Sequence, residues 1–255
     1  LHTNAVFGFL NIMFKIIDSK QPDYMAVAFD VHQPTFRHEM FKDYKGTRKP
    51  MMEELREQVP VIKELLQKMN ITTVELPGYE ADDVIGTLSK KGEKAGMEVD
   101  VISGDRDLLQ LASDHITICI PKAKKGQTTV EEYNTEGVRK LYKVTPTEFI
   151  DVKALMGDSS DNIPGVPGIG EKGATAIISQ FGSIENAYDH AEEISNTRNR
   201  NALLNNYEMA QMSKTLATIN IQSPVEVTPE QCKLEDIYTE DALEMIKRLE
   251  FKSMI

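Results

Sequence analysis

The chain has no tryptophan, only two cysteines, and no apolar run long enough to cross a bilayer. Cys119 and Cys232 cannot build a disulfide framework, so the 255 residues must fold around an ordinary core, and a reducing compartment is expected. The longest apolar stretch, Ala5–Phe14, is interrupted by Asn11 and is far shorter than the roughly 20 residues of a spanning helix, so no membrane partner is expected. No histidine stands at metal-ligand spacing from another histidine or a cysteine, which removes the usual zinc patterns. Positive charge is also scarce, with 29 Lys+Arg against 40 Asp+Glu and a net charge of −11. On its face that balance argues against a polyanionic partner. The chain opens at Leu1 directly into a helical apolar pattern and is expected to be a piece of something longer.

The pattern that remains is mixed. Residues 5–18 are apolar at helical spacing, 24–30 form a short β-prone run ending in a carboxylate, and 50–70 repeat a helical face through Leu55, Val59, Ile62, Leu65, Leu66 and Met69. Strands are expected at 71–76, 98–103 and 115–120, with helices at 80–95 and 106–112 between them, which is the alternation of a parallel α/β sheet. From about Val130 the signals are helical: 135–142, 145–156, 171–181, 184–191, 201–217 and 239–251, the last capped by Thr239. The division expected is an α/β catalytic core over 1–133 and a helical DNA-binding region over 134–255.

Carboxylates stand where such sheets carry their sites. Asp30 ends one strand, Asp105 and Asp107 follow another in SGDRDLLQL, and Glu80, Asp82 and Asp83 open a helix after a third. Sites in these sheets form outside the carboxyl ends of the strands, so the clusters should converge on one rim, joined by Asp158 and Asp161 of GDSSDN. An oxygen-only set points to Mg2+ or Mn2+, and two such ions about 4 Å apart suit phosphodiester hydrolysis. Each piece also has a plainer reading, as acids at a helix N-terminus, a turn cap or a loop. Their joint placement is what favours a metal site.

Two further stretches suit nucleic acid. Residues 36–49, FRHEMFKDYKGTRK, interleave Arg37, Lys42, Lys45, Arg48 and Lys49 with Phe36, Phe41 and Tyr44, a mixture that tracks phosphates and stacks on bases. In GVPGIGEKGATAIISQFGS (165–183), a Gly168-Ile-Gly170 hairpin runs into a helix whose first N–H groups, with Lys172, form a phosphate seat. The alternatives are a solvated basic loop and an interhelical turn.

Together LHTNAVFGF, VAFD, TFRHEMFKDYKGTRKP, YEADDVIGTL, VISGDRDLLQLAS and LMGDSSDNIPGVPGIGEKGA resemble, in order and over essentially the whole chain, the 5′ nuclease domain of bacterial DNA polymerase I within the flap endonuclease family. The resemblance implies a parallel-sheet, PIN-like or resolvase-like core, a helical arch at about 31–50, and a helix-three-turn-helix region. It implies metal ligands at Asp30, Glu80, Asp82, Asp83, Asp105, Asp107, Asp158 and Asp161, for two Mg2+ or Mn2+ ions. Lys45 and Arg48 take the catalytic arch positions beside the scissile phosphate. Arg37, Tyr44, Lys45, Arg48, Gly168, Gly170 and Lys172 take the DNA-binding ones, with one K+ at the 165–170 hairpin. The implied partners are branched or nicked DNA with a 5′ single strand, RNA–DNA primers, and polymerase domains in cis. A monomer in the bacterial cytoplasm, at the nucleoid, is expected. The family opens on a strand bearing an Ile-Asp-Gly-type aspartate, which nothing before Leu1 supplies; a longer parent chain is expected to carry it.

Two rivals follow from the same residues. A non-catalytic flap-binding module would bind flap DNA without cleaving it. A phosphatase acting on small esters would have no use for the 31–50 stretch or the glycine hairpin. The charge balance does not decide against DNA. Eight acidic residues lie in 222–255, and setting aside the eight expected metal ligands leaves 25 basic against 24 acidic residues over 1–221.

Overall fold

The computed structural model describes residues 2–255. The chain runs α1 (Asn4–Lys20), β1 (Ala26–Phe29), α2 (Phe36–Met40), α3 (Glu53–Arg56), α4 (Gln58–Lys68), β2 (Thr72–Glu75), α5 (Ala81–Lys94), β3 (Val99–Ile102), β4 (Ile116–Lys124), β5 (Gln127–Tyr133), α6 (Thr135–Tyr142), α7 (Pro146–Met156), α8 (Glu171–Phe181), α9 (Ile184–Asp189), α10 (Thr197–Asn205), α11 (Tyr207–Ala217) and α12 (Glu240–Arg248). It is an α/β protein grouped into two units. One comprises Leu1–His32, Lys49–Val84 and Ser223–Ile255; the other comprises Gln33–Arg48 and Ile85–Gln222.

The first unit is built on the parallel pair β1–β2, in register from Ala26↔Thr72 to Phe29↔Glu75. Its core comes from periodic faces: Val6, Leu10 and Met13 of α1, Ile62, Leu65 and Leu66 of α4, and Ala242, Met245 and Ile246 of α12. The α1 N-terminus has no cap of its own. Gln58, buried in α4, supplies one by accepting from the Ala5 N–H at 2.6 Å and donating to Asn4 Oδ1 at 3.0 Å. The Thr239 hydroxyl caps α12, accepting from Ala242 N–H at 3.1 Å. The last helix therefore packs with the first one, although the two lie at opposite ends of the sequence.

In the second unit β3 pairs parallel with β4, and β4 pairs antiparallel with β5 through a turn at Lys125-Gly126, both at positive φ. This hairpin is a correction to the sequence reading, which ended the strand at 120 and placed none over 127–133. Exposed Lys122, Lys124 and Lys125 mask the alternation, and only the two-residue turn marks it. The expected helix over 201–217 is likewise two, α10 and α11, divided at Asn206. The core of this unit is α7 against β3, β4 and α8, through Val101, Ile116, Ile118, Phe149, Val152, Leu155, Ala174 and Ile178. Helix α7 starts on a capping box: Thr145 accepts from Glu148 N–H, Glu148 accepts from Thr145 N–H, and Pro146 takes the first turn, where its missing N–H costs nothing. Among the described residues no helix is long and apolar enough to cross a membrane.

Candidate metal centre and nucleic-acid surface

The eight expected metal carboxylates divide evenly between the units, with Asp30, Glu80, Asp82 and Asp83 in the first and Asp105, Asp107, Asp158 and Asp161 in the second. In the first, two of them satisfy backbone. Asp30 follows β1 and its Oδ1 accepts from Ala81 N–H at 2.7 Å, at the start of α5. Asp83, buried, turns back to accept from Glu80 N–H at 3.0 Å. Glu80 and Asp82 lie at the same N-terminus, where the helix dipole favours negative charge.

In the second unit the carboxylates converge. Asp107, Asp158 and Asp161 bring ligand oxygens within 4.8 Å of one another. Asp105 acts differently, capping the 3-10 turn Arg106–Leu111 by accepting from Asp107 N–H at 2.8 Å. Asp158 and Asp161 come from a tight loop after α7. Asp158 N–H donates to Ile163 O and Ile163 N–H returns to Asp158 O, while Asp158 Oδ1 takes the Ser160 N–H at 2.9 Å. The loop folds back on itself only because Gly157 and Gly165 touch backbone to backbone. A Cβ on Gly165, at φ +63, would lie 2.4 Å from Gly157 N.

Positive charge stands against this trio. Lys153 of α7, which the sequence reading did not single out, has its Nζ 3.1 Å from Asp107 Oδ1 and 3.3 Å from Asp158 Oδ2. Arg48 donates from its guanidinium to Asp161 Oδ1 at 2.6 Å. Burial, with Asp105 and Asp158 nearby, pushes the Asp107 carboxyl up to about 6 against the opposing pull of Lys153. Burial also works against charge on Asp158, but the Ser160 hydrogen bonds and Lys153 win and hold it below the usual carboxylate range. Lys153 is raised, because Asp107 and Asp158 outweigh the cost of its burial. Only a lysine five residues before Asp158 was visible in the sequence; its aim follows from the turn at Gly157.

The 33–48 segment is anchored to this loop within the same unit. Lys45 N–H donates to Asp161 O at 2.8 Å, and Asn162 Nδ2 donates to Asp43 O at 2.7 Å. Two residues expected to face DNA are interior instead. Arg37 is 3% exposed, with Nε donating to Leu216 O at 2.9 Å and a terminal nitrogen to Thr218 O at 2.7 Å. Tyr44 packs with Ile163 and Leu216. Buried carbonyls draw the arginine in, and the apolar body of the tyrosine follows the same contact surface. Lys45 stands over the Tyr44 ring with Nζ 5.4 Å from its centroid, and Arg48 keeps about half of its side chain exposed. The expected arch is thus only partly helical, α2 covering five residues.

Gly168 and Gly170 precede α8 with open space where a Cβ would lie, Gly168 being at φ +90 and Gly170 being the α8 N-cap. Lys172, in the first turn, is exposed. This leaves the first N–H groups of α8 approachable by an anion.

Residues 1–143 match the model described as 5'-3' exonuclease, N-terminal resolvase-like domain, and residues 144–240 match 5'-3' exonuclease, C-terminal SAM fold. The chain belongs to the 5'-3' exonuclease family. DNA polymerase I of Bacillus caldotenax is 47% identical over all of this chain, which spans 29% of that relative's length. Among solved structures, T5 5'-exonuclease with bound zinc superimposes at a TM-score of 0.70 and 23% identity, covering 99% of this chain and 91% of the other. The catalytic core of Rad2 with DNA substrate does so at 0.63 and 17% identity, over 97% and 79%. At those identities the likeness is one of fold, and this exonuclease-family chain shares it along nearly its whole length.

Proposed function

We propose that this chain is a structure-specific, metal-dependent 5′–3′ exonuclease and flap endonuclease, hydrolysing phosphodiesters of DNA and of RNA primers at 5′ ends and flaps. The observation that carries the reading is the convergence of Asp107, Asp158 and Asp161 on the loop that also anchors Lys45 and Arg48. Three carboxylates brought this close require a cation, and an all-oxygen set fits Mg2+ or Mn2+. Asp107, Asp158 and Asp161 would hold one ion, and Asp30, Glu80, Asp82 and Asp83 are the proposed ligands of a second, with Asp105 supporting Asp107. Divalent ions at such ligands supply Lewis acidity and offset the charge of the phosphodiester.

The remaining roles belong to the chain itself. Lys45 and Arg48 orient the scissile phosphate and offset its charge, Arg48 from its exposed guanidinium and Lys45 from above Tyr44. Arg37 and Tyr44 serve this indirectly by fixing the segment that carries them. The α8 N-terminus with Gly168, Gly170 and Lys172 seats a duplex phosphate, and the 165–170 hairpin is the proposed K+ position. On this reading 1–133 supplies the catalytic core and 134–255 the duplex grip. The chain acts as a monomer at the bacterial nucleoid, alongside polymerase domains in cis.

The test is cleavage of a 5′-labelled flap duplex in Mg2+, by this chain and by a longer parent chain. The expected result is a short labelled product in Mg2+ and binding without product in Ca2+. Flap binding with no Mg2+-dependent product from either would instead favour the non-catalytic junction binder.

A further inference from the structure

We infer that Lys153 is a tethered counter-cation of the acid trio, occupying the charge position between Asp107 and Asp158 so that a divalent ion loads onto those carboxylates only by displacing it. The inference rests on the reading of Asp107, Asp158 and Asp161 as metal ligands. Its own basis is geometric. The Lys153 ammonium bridges the two carboxylates at 3.1 and 3.3 Å, and all three side chains are well covered, at 16%, 19% and 15% exposure. Arg48 pairs with the third carboxylate, but from a side chain 51% exposed, so water screens that contact and it yields easily. Lys153 is the harder to replace. It lies in the last turn of α7, where the helix dipole also favours a cation, and the Gly157 turn carries Asp158 back toward it.

Two consequences follow. In the absence of DNA the bridging ammonium competes with the metal and lowers its affinity. Once displaced, the same ammonium is released beside the trio with no carboxylate partner, and a phosphate of the bound strand is the anion that can take it up. Metal and nucleic acid then bind cooperatively through one side chain, each tightening the other by the same factor. Lys153 is in this sense a positioning residue that couples substrate to metal loading.

The experiment titrates Mn2+ into the protein, followed by electron paramagnetic resonance, with and without a flap duplex. The binding lost in Asp107→Asn defines the site. Lys153→Met is expected to tighten Mn2+ at that site at least about tenfold without DNA, and to abolish the further tightening that DNA produces in the unmodified protein. Lys153→Arg should retain the weaker, DNA-responsive binding. Unchanged or weaker Mn2+ binding by a folded Lys153→Met overturns the inference. A protein whose Mn2+ binding is indifferent to Asp107→Asn overturns instead the metal reading beneath it. A second measurement needs no substitution. The 15N-detected Nζ signal of Lys153, held by two carboxylates in metal-free protein, should shift and lose its protection at saturating Mg2+. Retention of that signal while the Asp107 resonances move would contradict displacement.

Discussion

The two units use the same side chain in different ways. In the first, Asp30 and Asp83 accept backbone N–H groups around the start of α5, so their charge is spent locally on a helix end. In the second, Asp107, Asp158 and Asp161 point at one another and draw Lys153 and Arg48 in against them. Carboxylates that cap are satisfied by the fold itself. Carboxylates that converge are tolerated only with cations, and it is this group that marks the metal centre.

The contrast breaks most severely at the scaffold of the converging group. Gly165→Ala puts a methyl 2.4 Å from Gly157 N at a positive φ, and neither backbone can yield without opening the loop that carries Asp158 and Asp161. A loss of about 4 kcal/mol or more is expected in denaturant unfolding, or failure to fold. Arg37→Ala should cost about 2–3 kcal/mol, since the carbonyls of Leu216 and Thr218 lose a buried charged donor. Urea midpoints near wild type would show that water replaces it.

A pH titration sharpens the comparison. Asp107 titrates at about 6 against its ordinary 3.8, so the folded state favours its protonated form. Its stabilising contribution in metal-free protein is fully present below about pH 4 and is lost as pH rises through 6, up to about 3 kcal/mol. Asp107→Asn should remove that slope from thermal melts between those pH values; an unaltered slope would place it on another group. The capping acids predict less. Asp30→Ala should cost about 1 kcal/mol, and Asp30→Asn, which keeps the acceptor, almost none. Smallest in stability terms is Lys172→Ala, which should leave melting unchanged, weaken duplex binding a few-fold, and reduce its salt slope by about one.

Much of this was legible beforehand. Helical periodicity placed α1, α4, α8 and α12, and the strand-end aspartates with GDSSDN located the acids before any geometry was known. What escaped notice depends on contacts distant in sequence. Nothing near Arg37 indicates that its acceptors are the carbonyls of Leu216 and Thr218, and in isolation it is one more cation in a basic stretch. Lys153 looks like an ordinary helix lysine until the Gly157 turn brings Asp158 beside it. The β5 strand was hidden because a solvated hairpin tip carries lysines where a buried strand would carry apolar residues. The capping role of Asp105 was anticipated only as an alternative to metal binding, and the structure realises the cap.

The central claim is that the converging acids carry out hydrolysis. It is tested most directly by measuring flap binding and Mg2+-dependent cleavage side by side for the unmodified protein and Asp107→Asn. The account predicts cleavage reduced by at least about 10³-fold with flap affinity nearly unchanged. Cleavage at the unmodified rate, or equal loss of binding and cleavage, would contradict it.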